Sequence, residues 1–146
     1  YHIRFIEYMP IGRDGNWTPE RYISSDEIRS TIKSLGPLHK ISHSTHDGPA
    51  ERYRFELAKG EVGFISPLSH HFCPSCNRLR LTADGKLRPC LFADDEMDIK
   101  APLRNGCTRE DLGKVFQHAV AAKPKRHHAE ILEKGRCVRP MSAIGG

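Results

Sequence analysis

Apolar residues recur along the chain with two different periods. Residues 52–57 alternate Tyr53, Phe55 and Leu57 against Arg52, Arg54 and Glu56, the period-two pattern of a half-buried strand. Residues 62–66 read as a second strand, and a hairpin through Ala58-Lys59-Gly60 would join the two. Residues 2–9 read as a largely buried strand through Ile3, Phe5, Ile6, Tyr8 and Met9, interrupted by Arg4 and Glu7. Glu7 is expected to be structural, at a strand end. Helical spacing appears at Ile28, Ile32 and Leu35, after an N-cap and acidic first turn at residues 24–27 and before the stop Gly36-Pro37. It appears again at Leu112, Val115, Phe116 and Ala119, behind Thr108 with Asp111 three residues on, a capping pattern. Residues 39–51, with His43 and His46, show neither period and read as a loop. Residues 98–103 are ambiguous.

The most informative stretch spans residues 72–92, FCPSCNRLRLTADGKLRPCLF. Cys73 and Cys76 are spaced so that one tight turn can aim both sulfurs at a single metal. Leu79 and Leu81 alternate with Arg78 and Arg80 before the turn signal Asp84-Gly85, so the piece reads as a β-hairpin returning to Cys90. A two-residue loop would pair Leu79 with Cys90. A three-residue loop with Gly85 in the left-handed region pairs Arg78 with Cys90 and Leu81 with Leu87. The second register is preferred, since it puts Cys90 on the face of Cys76 and lets all three thiols converge. It also sets Arg80 opposite Arg88, an unfavourable like-charge pair that an intervening anion would relieve. One hairpin face would thus offer three thiolates beside two or three guanidiniums.

A closed zinc site would need a fourth ligand from His70, His71, Cys107 or Cys137; three thiolates alone would leave one iron of an iron–sulfur cluster open. Softness does not choose between them. The two histidines read more simply as polar loop residues, Cys107 and Cys137 as lone thiols, and residues 94–96 as a solvated acidic turn.

Composition narrows the classes. With 146 residues, 38% hydrophobic and 28% charged, the chain suits one globular domain or one domain plus a piece of another. No apolar run reaches membrane-spanning length, no signal peptide is visible, and a start at Tyr1 within an apolar run suggests a piece of a longer chain. Five cysteines, an odd number, suit a reducing compartment. A net charge of +5 favours anionic partners, with a solvated basic surface as the plain alternative. The Lys-, Arg- and His-rich residues 124–139, including His127 and His128, raise the same two readings.

The motif Cys73-x-x-Cys76-Asn77-Arg78-Leu79-Arg80, followed by Asp84-Gly85-Lys86 and Cys90-Leu91-Phe92, resembles the C-terminal iron–sulfur motif of the GTP 3',8-cyclase (MoaA) family of molybdenum cofactor biosynthesis. Arg4-Phe5-Ile6-Glu7-Tyr8-Met9 resembles the last barrel strand of that family's radical S-adenosylmethionine domain, and Met141-Ser142-Ala143-Ile144-Gly145-Gly146 its C-terminal tail. The resemblance runs from end to end of the chain. It implies a lyase with two [4Fe-4S] clusters: an N-terminal one that generates a radical from S-adenosylmethionine, and a C-terminal one that binds the guanine of GTP through an open iron. Carried over by position, Cys73, Cys76 and Cys90 would hold the second cluster, Arg78, Leu79 and Arg80 would contact GTP, Arg4 would reach its triphosphate and Met9 would touch S-adenosylmethionine. Gly145 and Gly146 would enter the active site and be required for activity. Further implied are a cytoplasmic location (the mitochondrial matrix in a eukaryote), a homodimer as candidate assembly, cyclic pyranopterin monophosphate synthase as the downstream enzyme, and no membrane partner. The family's Cys-x-x-x-Cys-x-x-Cys motif is absent from this sequence, so this chain alone should not generate a radical.

The expected fold is α+β: the last strand of a partial α/β barrel with its exit loop over residues 1–20, then an iron–sulfur and GTP-binding domain over residues 21–146. In it an antiparallel sheet with flanking helices carries the cysteine hairpin. In the isolated chain the Gly145-Gly146 tail should lack a seat and be mobile. A zinc-stabilised nucleic-acid-binding module is the alternative function; a sulfur carrier with a reactive Gly-Gly end would leave the metal motif unused.

Overall fold

The structure is a computed structural model that describes residues 1–12, 17–42, 48–127 and 137–145. His43, His46, His128 and Gly146 lie outside the described residues. The chain divides into two compact units, one of Tyr1–Met9 with Trp17–Phe72, the other of Pro10–Asn16 with Cys73–Gly146.

The first unit is a four-stranded mixed sheet with a helix. Its strands are β1 (His2–Ile6), β2 (Leu38–Lys40), β3 (Glu51–Phe55) and β4 (Glu61–Ile65), in the order β1-β4-β3-β2. β1 runs parallel to β4, with His2 opposite Glu61 and Ile6 opposite Ile65; the other pairs are antiparallel. Tyr53, Val62 and Phe64 form the core, packed by Phe5, Phe55, Leu38 and two residues of helix α1 (Ser25–Ile32), Ile28 and Ile32. Phe64 stacks on Phe5 at 5.7 Å between ring centroids and meets the edge of Tyr53 at 5.6 Å, geometries favoured by the ring quadrupole. The polar face of β3 is satisfied within the sheet: Arg52 and Arg54 both donate to the buried carboxylate of Glu61.

Helix α1 begins where the sequence predicts it. Ser24 accepts from the Glu27 backbone, and the Glu27 carboxylate accepts from the Ser24 backbone in return. Three expectations need correction. β1 is an edge strand, so Ile3 and Ile6 are more than half exposed and the strand is not largely buried. Residues 38–40, of which 39 and 40 read as loop in the sequence, pair with β3. Leu57, placed on the buried face of β3, sits in the following turn at φ +63° and is fully exposed.

Glu7 closes the end of β1. Its buried carboxylate accepts from the Ser25 backbone at 3.0 Å, from Leu68 and Ser69 backbone amides at 2.8 and 3.0 Å, and from the Ser69 hydroxyl. Burial pushes its pKa up, but these four donors outweigh burial and hold it below the usual range. The carboxylate thus ties β1 to the start of α1 and to the segment after β4. Trp17 donates its indole N–H to the Tyr8 carbonyl at 2.7 Å.

The second unit holds a separate three-stranded antiparallel sheet, β5 (Arg80–Leu81), β6 (Lys86–Arg88) and β7 (Met97–Asp98), in chain order. The sequence predicts one antiparallel sheet carrying the cysteine hairpin; instead the hairpin belongs to this separate sheet. Irregular chain from Ser66 and a 3₁₀ turn at Cys73–Ser75 intervene. Helices α2 (Lys100–Arg104), α3 (Arg109–Ala121) and α4 (Met141–Ile144) complete the unit. Leu87, Ile99 and Ala119 are its buried centre, with Leu79, Met97, Leu112 and Val115 packed around them. The predicted stripe of α3 faces this core except at Phe116, which is exposed. Thr108 and Asp111 form the predicted reciprocal cap. Residues 98–103, ambiguous in sequence, become the end of β7 and α2, with Asp98 accepting from the Lys100 and Ala101 amides.

Together the described residues make an α+β architecture with two sheets and four α-helices.

Candidate metal and anion site

The second unit builds its site on the hairpin. Arg80 lies opposite Arg88 and Leu81 opposite Leu87, the preferred register. The turn uses three loop residues, with Gly85 at φ +84° donating to Thr82 O at 3.0 Å. The buried Thr82 hydroxyl donates to Asp84 at 2.5 Å and accepts from the Lys86 amide at 2.9 Å. The turn is thus closed by side chain as well as backbone.

Cys73 and Cys76 bracket one 3₁₀ turn, the Cys76 amide donating to Cys73 O at 3.1 Å. Cys90 follows Pro89 just past β6. All three thiols are free and half-buried. Among the described residues no three metal-ligating side chains are gathered to metal-binding distance. The donor set still suits a thiolate-ligated metal, because cations and backbone donors surround the sulfurs. The His127 amide donates to Cys73 Sγ at 3.4 Å, and the Lys123 ammonium lies 3.8 Å from Cys76 Sγ. His127 is buried and its ring packs on Phe92, 4.6 Å between centroids. Arg80 is held below the usual arginine range, first by burial and then by Arg78 and Arg88, while Cys76 and Cys90 act in the opposite sense. That balance puts Arg80 within electrostatic reach of both sulfurs.

The guanidiniums differ in role. Arg78, Leu79 and Arg80 are half-buried. Arg80 Nη1 donates to the Gly145 carbonyl at 2.6 Å. Arg88, counted in sequence as a third anion-binding group, is 1% exposed and engaged elsewhere. It donates to Glu96 at 2.5 Å, to the Ala93 carbonyl and to Cys137 Sγ at 3.0 Å, with Asp94 at 3.5 Å. Glu96 also takes Arg139 at 2.6 and 2.8 Å, and Arg139 reaches Asp84 at 2.8 Å. Residues 94–96 are therefore not simply a solvated turn: they neutralise a buried arginine. Paired with Arg139 first, and with Arg88, Glu96 is held below its usual range; Asp84, bound by Arg139 and Thr82, is held at about 2. Cys137 is fully buried among polar groups, and burial pushes its thiol up.

Leu81, opposite the buried Leu87, is itself 54% exposed because β5 is the edge strand. The tail also differs from expectation. Ile144 is fully buried, and Gly145, at φ +77°, lies so close that an added Cβ would stand 2.0 Å from Leu81 O. Gly145 has a seat on the hairpin backbone.

Arg4 and Met9 belong to the first unit. Arg4 is exposed on β1, its side chain lying over Gly63, where an added Cβ would be 2.6 Å from Arg4 Cδ. Met9 is half-buried. Of the extra ligand candidates, His70 faces Asp26 at 2.7 Å in the first unit, and Cys137 is engaged by Arg88.

The thiol-bearing hairpin, with Lys123 and Arg80 close by, is set in a small α+β unit. Residues 1–129 match the family described as Molybdenum Cofactor Synthesis C, and the chain belongs to that family. It is 49% identical over 146 residues to a GTP 3',8-cyclase of Pelotomaculum thermopropionicum and 49% identical over 146 residues to one of Moorella thermoacetica. A GTP 3',8-cyclase of Desulforamulus reducens is 45% identical over 146 residues. In each case 99% of this chain and 44% of the relative are covered, so the chain spans less than half the length of these curated relatives. Among the described residues no helix is long and apolar enough to cross a membrane.

Proposed function

We propose that this chain is the cluster- and substrate-holding part of a GTP 3',8-cyclase, a lyase of molybdenum cofactor biosynthesis. Cys73, Cys76 and Cys90 hold a [4Fe-4S] cluster. Bound there, the cluster supplies an iron with an open position for a guanine atom. The observation that carries this reading is the trio of free, half-buried thiols on one turn and one hairpin end, with Lys123 and Arg80 in electrostatic range.

The chain's own residues then orient the nucleotide. Arg78 and Arg80 present guanidinium forks to GTP, with Leu79 lending backbone between them. Such forks favour phosphate and base acceptors and stay charged. Fixing the nucleotide at both ends holds one ribose hydrogen toward the radical, which radical chemistry requires. Arg4 on β1 serves the triphosphate and Met9 S-adenosylmethionine, which binds mainly to a barrel contributed by chain outside this sequence. Residues 1–20 are the last strand and exit loop of that barrel, and residues 21–146 the cluster domain. The exposed Ile3 and Ile6 on the edge strand β1 support a further strand pairing there. Gly145, with Gly146, reaches the active site in the whole enzyme.

The test is anaerobic reconstitution with iron and sulfide, followed by GTP titration watched through the visible and electron paramagnetic resonance spectra. A brown protein whose reduced spectrum changes on saturation with GTP is expected. A colourless protein that retains zinc instead would reject the cluster, and an iron-loaded protein indifferent to GTP would reject the substrate role.

A further inference from the structure

Lys123 stands just past the end of α3, and the sequence gives it no distinction beside the basic residues 124–139. In the fold it is half-buried and points into the open end of the cysteine hairpin. Ala119, one turn earlier, is completely buried against Leu87 and Ile99, which pins this end of α3 to the hairpin. The Lys123 ammonium donates to Arg78 O at 2.6 Å and to Pro89 O at 3.0 Å, and lies 3.8 Å from Cys76 Sγ.

An ammonium has three donors and no acceptor, and here each has a target. Arg78 lies two residues after Cys76, and Pro89 immediately precedes Cys90. The strand ladder stops at Arg80 and Arg88, so these two carbonyls lie beyond the paired strands, on the two arms that carry the ligands. One charge joins both arms and sits beside one of the sulfurs.

We propose that Lys123 is a positioning residue of the metal site. It ties together the arms bearing Cys76 and Cys90, limiting how far they can part when they take a shared metal, and it offsets the negative charge that thiolate ligation concentrates there. The inference rests on the reading that these thiols hold a cluster, and it assigns a role to a residue that is not itself a ligand. Groups that orient metal ligands are worth about 10–100-fold in metal affinity. An arginine in its place would keep the charge, while a methionine keeps the length and apolar stem without charge or donors.

The test uses the chain reconstituted anaerobically, with Lys123→Met, Lys123→Gln and Lys123→Arg beside the parent. Lys114→Met, an exposed position on the same helix, controls for loss of a surface charge. Two quantities are read: the rate of iron release to a chelator, and the midpoint potential of the bound cluster. Lys123→Met is expected to release iron about tenfold faster or more and to be harder to reduce. Lys123→Gln, which keeps donors but no charge, should share the lowered potential. Lys123→Arg should keep the parent potential, and Lys114→Met should match the parent in both readouts. If Lys123→Met does not fold, Lys123→Gln decides the matter. Parent-like release and potential in the neutral variants would overturn the proposal while leaving the cluster reading intact. A parent that takes up no iron would overturn both.

Discussion

The buried ion network behind the hairpin gives the sharpest energetic prediction. Glu96 accepts from Arg88 and Arg139, and Arg88 is 1% exposed while Glu96 is 17% exposed. Glu96→Gln keeps the shape and removes the charge. It leaves a buried guanidinium whose nearest remaining carboxylate, Asp94, is 3.5 Å away and half exposed. Removing one partner of a buried pair costs about 3–5 kcal/mol. Arg88 keeps the Ala93 carbonyl and Cys137 as partners, so the lower end, about 3 kcal/mol, is expected for that pair. Arg139 is partly exposed and also holds Asp84, so its share adds little. Against a typical stability of about 5–15 kcal/mol this is a large fraction. Urea unfolding of the metal-free chain at neutral pH measures it as a lower midpoint at unchanged slope. The pH dependence has a definite sign. The folded pKa of Glu96 is depressed, so its contribution is present above the ordinary glutamate range, about 4.3, and is lost as pH falls through the folded value. The gap between parent and variant should therefore shrink as pH is lowered from neutrality. A loss below about 1 kcal/mol, or a gap that does not depend on pH, would refute the reasoning.

Three further outcomes are expected. Gly145→Ala places a Cβ against the Leu81 carbonyl at a positive φ and should unseat the tail, seen as carboxypeptidase trimming past Ile144; trimming at the parent's rate would contradict the seat. Asp84, held at about 2 by Arg139 and Thr82, should still be ionised at pH 3 in carbon-detected NMR and move up toward the ordinary range in Arg139→Met, and an unchanged titration there would remove Arg139 as the cause. Arg80→Ala should weaken GTP binding to the iron-loaded chain roughly ten- to a hundredfold, the loss of one charge-assisted contact of about 1.5–3 kcal/mol. Arg80→Lys should recover only part of this, and full affinity in the alanine variant would contradict the anion role.

What the sequence made legible was local. The capping boxes at Ser24 and Thr108, the hairpin register through Gly85 and the Arg80–Arg88 opposition follow from spacing and turn chemistry. The α+β class followed from mixed periodicity. What it hid depends on contacts distant in the chain. Nothing near Arg88 announces that it will be buried against Glu96 and Cys137, and alternation alone made it an anion ligand. Leu81 keeps the alternating pattern yet is exposed, because pattern does not say which strand lies at an edge. The same limit turned β1, apolar by composition, into an exposed edge. Lys123 is one lysine among several until α3 docks and carries it to the thiols. The seat of Gly145 needed the Leu81 backbone, 64 residues earlier.

The central claim is that three thiols and no others hold an iron–sulfur cluster. Its most direct test is iron and acid-labile sulfide per chain after anaerobic reconstitution, in the parent and in Cys73→Ser, Cys76→Ser, Cys90→Ser and Cys107→Ser. About four irons and four sulfides per chain are expected in the parent and in Cys107→Ser, with near-complete loss in the other three. Zinc in place of iron in the parent, or a loss in Cys107→Ser as deep as that in Cys90→Ser, would contradict it.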